Sequence, residues 1–132
     1  MLKTIITLAT ACMLAACAAE KPQWQNYQDT DIANLAKQGK TVFVQYTADW
    51  CMTCLDQEKN VLHSQEIVEI FKKNNVVLVK ADWTEYSENI DKDIIKHGQT
   101  GIPMYVLYSA DKKTNGHVLP ETITKKDIMK IF

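Results

Sequence analysis

The run Ala48-Asp49-Trp50-Cys51-Met52-Thr53-Cys54 holds the residues of this chain best suited to covalent chemistry. Its C-x-x-C pair follows a strand-like run, Thr41–Thr47, and opens a helix-like run, the context in which such a pair reads as a dithiol redox centre. A helix N-terminus carries unsatisfied backbone N–H groups and about half a positive charge. A thiolate placed there is stabilised, so its pKa falls and it can attack disulfides at neutral pH. The spacing sets the second sulfur one helical turn away, close enough to close a small disulfide ring. The competing reading is half of a zinc site. Zinc usually takes four ligands, and the sequence offers no second C-x-x-C, while His63, His97 and His117 are scattered. No metal and no cofactor are therefore expected.

The elements that must position this pair can be read from periodicity and punctuation. Ala18–Asn26 reads as a tether leading into a first strand around Trp24–Tyr27. Asp29-Thr30-Asp31 can cap a helix through Lys37, which Gly39 ends. Thr41–Thr47 is mostly apolar, as a central buried strand should be. Cys51 to about Lys73 reads as one long helix with an apolar stripe at Leu55, Val61/Leu62, Ile67/Val68 and Ile70/Phe71, stopped by Asn74-Asn75. Val76–Ala81 is a second buried strand, and a helix follows near Ile90–Lys96. Met104–Tyr108 is a further strand, Asn115-Gly116 a hairpin turn signal before a short strand near His117–Leu119, and Thr124 caps a closing helix. The order β-α-β-α-β-α-β-β-α predicts an α/β fold with the dithiol after a central strand.

The other two cysteines lie in the first 17 residues. One Lys precedes an apolar stretch too short to span a bilayer, and small residues follow, as in a secretory signal. Leu14-Ala15-Ala16-Cys17 resembles the bacterial lipobox, which implies a signal peptide over 1–16, lipidation of Cys17, and a lipidated tether over 17–26 before a domain at 27–132. An ordinary signal cut near Ala19 is the alternative. In the resembled lipoproteins Ala18 favours the outer membrane. The expected setting is a periplasm-facing bacterial lipoprotein, where disulfides persist and Cys51 and Cys54 are the remaining thiols.

The chain has 132 residues, enough for one modest domain, with 15 basic and 16 acidic residues. So even a balance argues against nucleic acid as a partner. Every basic residue is Lys, which disfavours bidentate phosphate or carboxylate clamping.

Trp50-Cys51-x-x-Cys54 after a central strand, with Gly101-Ile102-Pro103 before a later one, resembles the thioredoxin fold. More specifically, Ala48-Asp49-Trp50-Cys51, Lys80-Ala81-Asp82-Trp83-Thr84, Gly101-Ile102-Pro103-Met104-Tyr105-Val106 and Leu119-Pro120-Glu121 resemble the C-terminal periplasmic domain of the thiol:disulfide interchange reductases. The resemblance implies a central mixed sheet flanked by helices and a redox-active Cys51/Cys54 disulfide, with Cys51 as exposed nucleophile and Cys54 as resolving thiol. It implies a cis bond before Pro103, which would turn the Ile102 backbone towards an incoming chain. Trp50 is expected to pack beside the dithiol, limiting its exposure, and with Ile102 and Pro103 to meet substrate.

Proton handling is where the chain departs from the resembled pattern. Thioredoxins carry a buried carboxylate six residues before the first Cys, and here that position is Gln45. The interchange domains carry an acid four after the second Cys, and here that is Glu58. An i, i+4 spacing sets Glu58 over Cys54 as a candidate base; the alternative is a solvated helix charge. The expected partners are oxidised client proteins, a membrane or periplasmic thiol donor, and the membrane through a lipid, with the protein a monomer. An oxidase or isomerase using the same cysteines, or a non-catalytic lipoprotein with a structural disulfide, are the other readings.

Overall fold

The computed structural model describes residues 22–109 and 112–132. Cys17, the expected leader over 1–16 and most of the expected tether lie outside the described residues. Five strands form one mixed sheet in the order β1-β3-β2-β4-β5. They are β1 (Trp24–Asn26), β2 (Val42–Thr47), β3 (Val77–Asp82), β4 (Met104–Ser109) and β5 (Lys112–Val118). β1 and β2 run parallel to β3, whereas β4 pairs antiparallel with both β2 and β5. β1 falls where a first strand was expected, around Trp24–Tyr27, so residues 24–26 belong to the sheet and the 17–26 tether bound overlaps it.

Every residue of β2 is buried, Gln45 and Thr47 included, as a mostly apolar strand at the middle of a sheet covered on both faces should be. On one face, α1 (Ile32–Lys37) and α4 (Glu88–Lys96) pack over Val44, Tyr46, Val79 and Val106. On the other, α3 (Gln65–Lys73) and α5 (Lys125–Met129) cover Phe43, Leu78, Tyr105 and Leu107. Helix ends follow the sequence signals. Asp31 and Ser87 cap α1 and α4, Thr124 and Asp127 form a capping box on α5, and Asn75 turns through a φ of 50° after α3.

Two expectations are corrected. The long helix from Cys51 to Lys73 is divided into α2 (Met52–Gln57), a π-helical turn at Glu58–Leu62, a break at His63-Ser64, and α3. The buried positions Cys54, Gln57, Leu62, Ile67 and Phe71 explain why. Successive steps of five residues cannot stay on one face of a 3.6-residue helix. The wide turn, closed by the His63 N–H donating to the Glu58 carbonyl at 2.9 Å, absorbs the extra residue. Leu55, assigned to the apolar stripe, is accordingly exposed. The Asn115-Gly116 turn is likewise not a turn: both residues lie within β5, and the register slips between Leu107 and Ser109. Gly116 is there because the strand is irregular, with φ 77°, and because a Cβ would stand 2.5 Å from Val106 Cγ1.

A polar tie crosses the α4 face. Tyr27 donates to Asp93 Oδ2 at 3.2 Å, Tyr46 donates to the same oxygen, and His97 Nδ1 lies 3.5 Å from Asp93 Oδ1. It locks α4 to β2 and to the turn after β1, at a distance from the cysteines in sequence and on the other face from α5.

Candidate redox-active site

β2 ends at Thr47 and the chain turns through Ala48-Asp49-Trp50, with the Cys51 N–H donating to the Ala48 carbonyl at 3.1 Å. Cys51 is the N-cap of α2: its Sγ accepts from the Cys54 N–H at 3.3 Å, so the sulfur occupies the place of a capping oxygen. Cys51 and Cys54 form a disulfide with their Cα atoms 5.2 Å apart. Cys54 is fully buried, whereas Cys51 keeps 8% of its surface. The opening is smaller than the exposed nucleophile expected from sequence, because Ala48 and Ile102 close around the ring. Cys51 is still the more exposed of the two cysteines, since Cys54 keeps no exposed surface.

The Ile102–Pro103 bond is cis. Pro103 is buried at the entry to β4, and half-buried Ile102 packs on the cluster of Ala48, Cys51 and Cys54. Residues distant in sequence therefore meet at the dithiol.

Thr84 fastens the loop that carries the cysteines. Its Oγ1 accepts from the Asp49 N–H at 2.9 Å and donates to Asp82 Oδ1, which also takes the Thr84 N–H at 2.9 Å. The Thr84 carbonyl accepts from Trp50 Nε1 at 3.2 Å. Sequence reasoning assigned Thr84 no role; its position just past β3, which lies beside β2 in the sheet, was the available signal. Gln57 is a second omission: its Oε1 takes hydrogen bonds from the Tyr105 hydroxyl at 2.8 Å and the Ile123 N–H at 3.1 Å, tying α2 to β4 and the approach to α5. Burial, and then the Glu58 charge, raise the Tyr105 phenol, which stays a donor at neutral pH.

Trp50, expected to pack beside the dithiol, leaves most of its own ring in solvent. It is 59% exposed, and its ring leans on Trp83 at 6.3 Å between centroids, which in turn meets Tyr86 at 6.4 Å. Pairing carries the Trp83 backbone to Thr47, where its N–H donates to the carbonyl at 2.7 Å, so the indole stands at the loop's flank.

Glu58 opens the π-helical turn, and its side chain is 14% exposed. Its carboxylate accepts from Gln45 Nε2 at 3.2 Å and Lys80 Nζ at 3.1 Å, with His63 Nε2 at 3.5 Å. It is not a solvated helix charge. Gln45, fully buried, directly opposes Lys80 in the β2–β3 register, which is how a residue six before Cys51 and a lysine on the next strand reach one carboxylate. Pro22, Trp24, Glu58, His63 and Lys80 line a cavity of about 430 Å³. Among the described residues, no group of three or more His, Cys, Asp or Glu could hold a metal ion, and no helix is long and apolar enough to cross a membrane.

A disulfide capping a helix, with one cysteine slightly exposed and the other enclosed, is suited to thiol–disulfide exchange. Comparison with known proteins agrees with that chemistry. A family model described as thioredoxin-like matches residues 23–110. The thiol:disulfide interchange protein DsbD of Vibrio cholerae is 30% identical over 99 residues, 67% of this chain but 16% of its own length. The chain thus spans only a small part of that relative. In fold, the reduced C-terminal domain of Neisseria meningitidis DsbD superposes with a TM-score of 0.58 at 17% identity, covering 75% of this chain and 85% of that one. A thioredoxin from Thermus thermophilus gives 0.61 at 14% identity over 85% of each chain.

Proposed function

This chain belongs to the thioredoxin-like family, and we propose that it works as a reductase of client-protein disulfides, held at the bacterial envelope by a lipid on Cys17. The fold, the Cys51–Cys54 disulfide and the similarity to interchange proteins make it a thiol:disulfide oxidoreductase. The observation that carries the proposal is the asymmetry of the pair: Cys51 caps α2 and can be reached, and Cys54 is enclosed. Starting from the reduced pair, the Cys51 thiolate attacks one sulfur of a client disulfide. That bond breaks, one client thiolate leaves, and a Cys51–client disulfide forms. The Cys54 thiolate then attacks Cys51 Sγ, the second client thiolate leaves, and the ring closes. Two electrons pass to the client and two protons end on its thiols. A thiol electron donor of the membrane or periplasm returns the pair to the reduced form.

In this reading Ile102 and Pro103 meet the client backbone, Trp50 its side chains, and Glu58 takes the Cys54 proton. Residues 1–16 are the leader, Cys17 carries the lipid, and the domain acts as a monomer facing the periplasm, on the outer membrane by the Ala18 signal. Cys54→Ser is expected to accumulate client mixed disulfides on Cys51, and Cys51→Ser to accumulate none; trapping through Cys54 alone would reverse the order of attack. Cys17→Ser is expected to move the protein into the soluble fraction with its dithiol chemistry intact. Continued membrane association of that variant would refute the anchor.

A further inference from the structure

The flank of the dithiol is aromatic and acidic at once. Trp50, Trp83 and Tyr86 form a continuous line of rings leading away from Cys51, and Trp50 and Tyr86 are 59% and 71% exposed. The segment 82–91 carries Asp82, Glu85, Glu88 and Asp91 and contains no lysine, and Asp49 precedes Trp50. Asp91 accepts from the Tyr86 hydroxyl at 3.3 Å, Asp82 Oδ1 accepts from the Thr84 N–H at 2.9 Å, and the Asp49 N–H donates to Thr84 Oγ1 at 2.9 Å. Lys92, just beyond the segment, pairs with Glu88 at 2.6 Å. For the whole chain the formal charge is only −1, so this excess of carboxylates is local to the redox face.

We propose that this face selects clients whose disulfide-bonded cysteine is followed or preceded closely by arginine or lysine. The inference rests on the oxidoreductase reading above and names its substrate class. A cation over an indole or phenol face is attracted by the ring quadrupole, and the surrounding carboxylates raise the local concentration of basic segments. The ring spacings of 6.3 Å and 6.4 Å put Tyr86 no more than about 13 Å from Trp50, which an extended chain at about 3.3 Å per residue crosses in about four residues. The favoured basic residue therefore lies within about four positions of the client cysteine. The patch begins at Trp50, the residue next to Cys51 in the chain, so a segment held there lies beside the disulfide.

The test is a single-turnover reduction with the full-length protein, reduced beforehand and freed of reductant. The probes are three cystine-linked peptides of equal length with Arg, Gln or Glu at the flanking positions, plus an uncharged small-molecule disulfide. The Arg peptide is expected to be reduced about 10-fold faster than the Glu peptide at low ionic strength, with the gap closing near 0.5 M salt, where the Debye length falls to about 4 Å. Glu85→Gln combined with Tyr86→Ala should shrink that ratio to about 2-fold or less, whereas Glu66→Gln, the same charge change on α3, should leave it unaltered. Equal rates for the three peptides, or a salt-independent gap, with the small disulfide still reduced, would overturn the selectivity and leave the oxidoreductase reading standing. No reduction of any probe would overturn both.

Discussion

Thr84 presents the sharpest case at the scale of single residues. Its hydroxyl accepts from the Asp49 N–H while donating to Asp82, so it fixes the loop from which Trp50 and Cys51 emerge. Thr84→Val keeps the shape and removes both bonds, leaving the Asp49 N–H without its partner. The expected loss is about 1–2 kcal/mol of stability, with faster amide exchange at Asp49 and slower disulfide reduction. Thr84→Ser should restore all three, since it returns the hydroxyl; a valine variant with unchanged Asp49 exchange would show that Thr84 merely fills space. Glu58 teaches a related lesson. Its spacing from Cys54 was legible, but its partners were not, because Lys80 and Gln45 reach it through strand register and not through sequence proximity.

At the scale of elements, β5 shows how a turn signal can mislead. Asn115-Gly116 has the composition of a two-residue hairpin turn, yet the glycine is required inside the strand by packing against Val106 and Tyr108. Gly116→Ala would combine a left-handed backbone with a 2.5 Å approach to Val106 Cγ1, for an expected loss of about 2–4 kcal/mol. Gly39→Ala, at φ 81° with nothing within 4 Å, should lose only about 1–2 kcal/mol. Urea midpoints of the two variants check the contrast, and equal losses would mean that φ alone governs both sites. β1 to β4, α1, α4 and α5 were readable because apolar period, caps and stops agreed. The α2–α3 region was not, because its apolar residues fit a helix locally and only the five-residue steps from Gln57 to Leu62 to Ile67 betray the wide turn. The exposure of Trp50 was equally hidden, since it depends on where β3 delivers Trp83.

At the scale of the whole molecule, the phenols gathered on the α4 face set an alkaline limit. Burial, then the Asp93 charge, push the Tyr27 phenol up to about 12 from its ordinary 10.0, and the same causes raise Tyr46 and Tyr108. A folded-state pKa above the unfolded one means that the native state holds the proton more tightly. The contribution is complete below pH 10 and is lost as pH rises from 10 towards 12. Unfolding midpoints should therefore be flat through neutral pH and drop above about pH 10. Tyr27→Phe should make that drop shallower while lowering stability at pH 7 by the lost bond to Asp93, about 1 kcal/mol. An alkaline limb identical in the variant would exclude Tyr27 as a source.

The same whole-molecule view carries the central claim, that the Cys51–Cys54 pair cycles and does so in the reducing direction. The measurement that tests it most directly is the equilibrium reduction potential of the purified protein, with the two forms resolved by alkylation in glutathione and dithiothreitol buffers. A reductase of this kind should lie between about −230 and −300 mV. A value near about −120 mV would mark an oxidant, and one well below about −300 mV a structural disulfide that does not cycle; either would contradict the account.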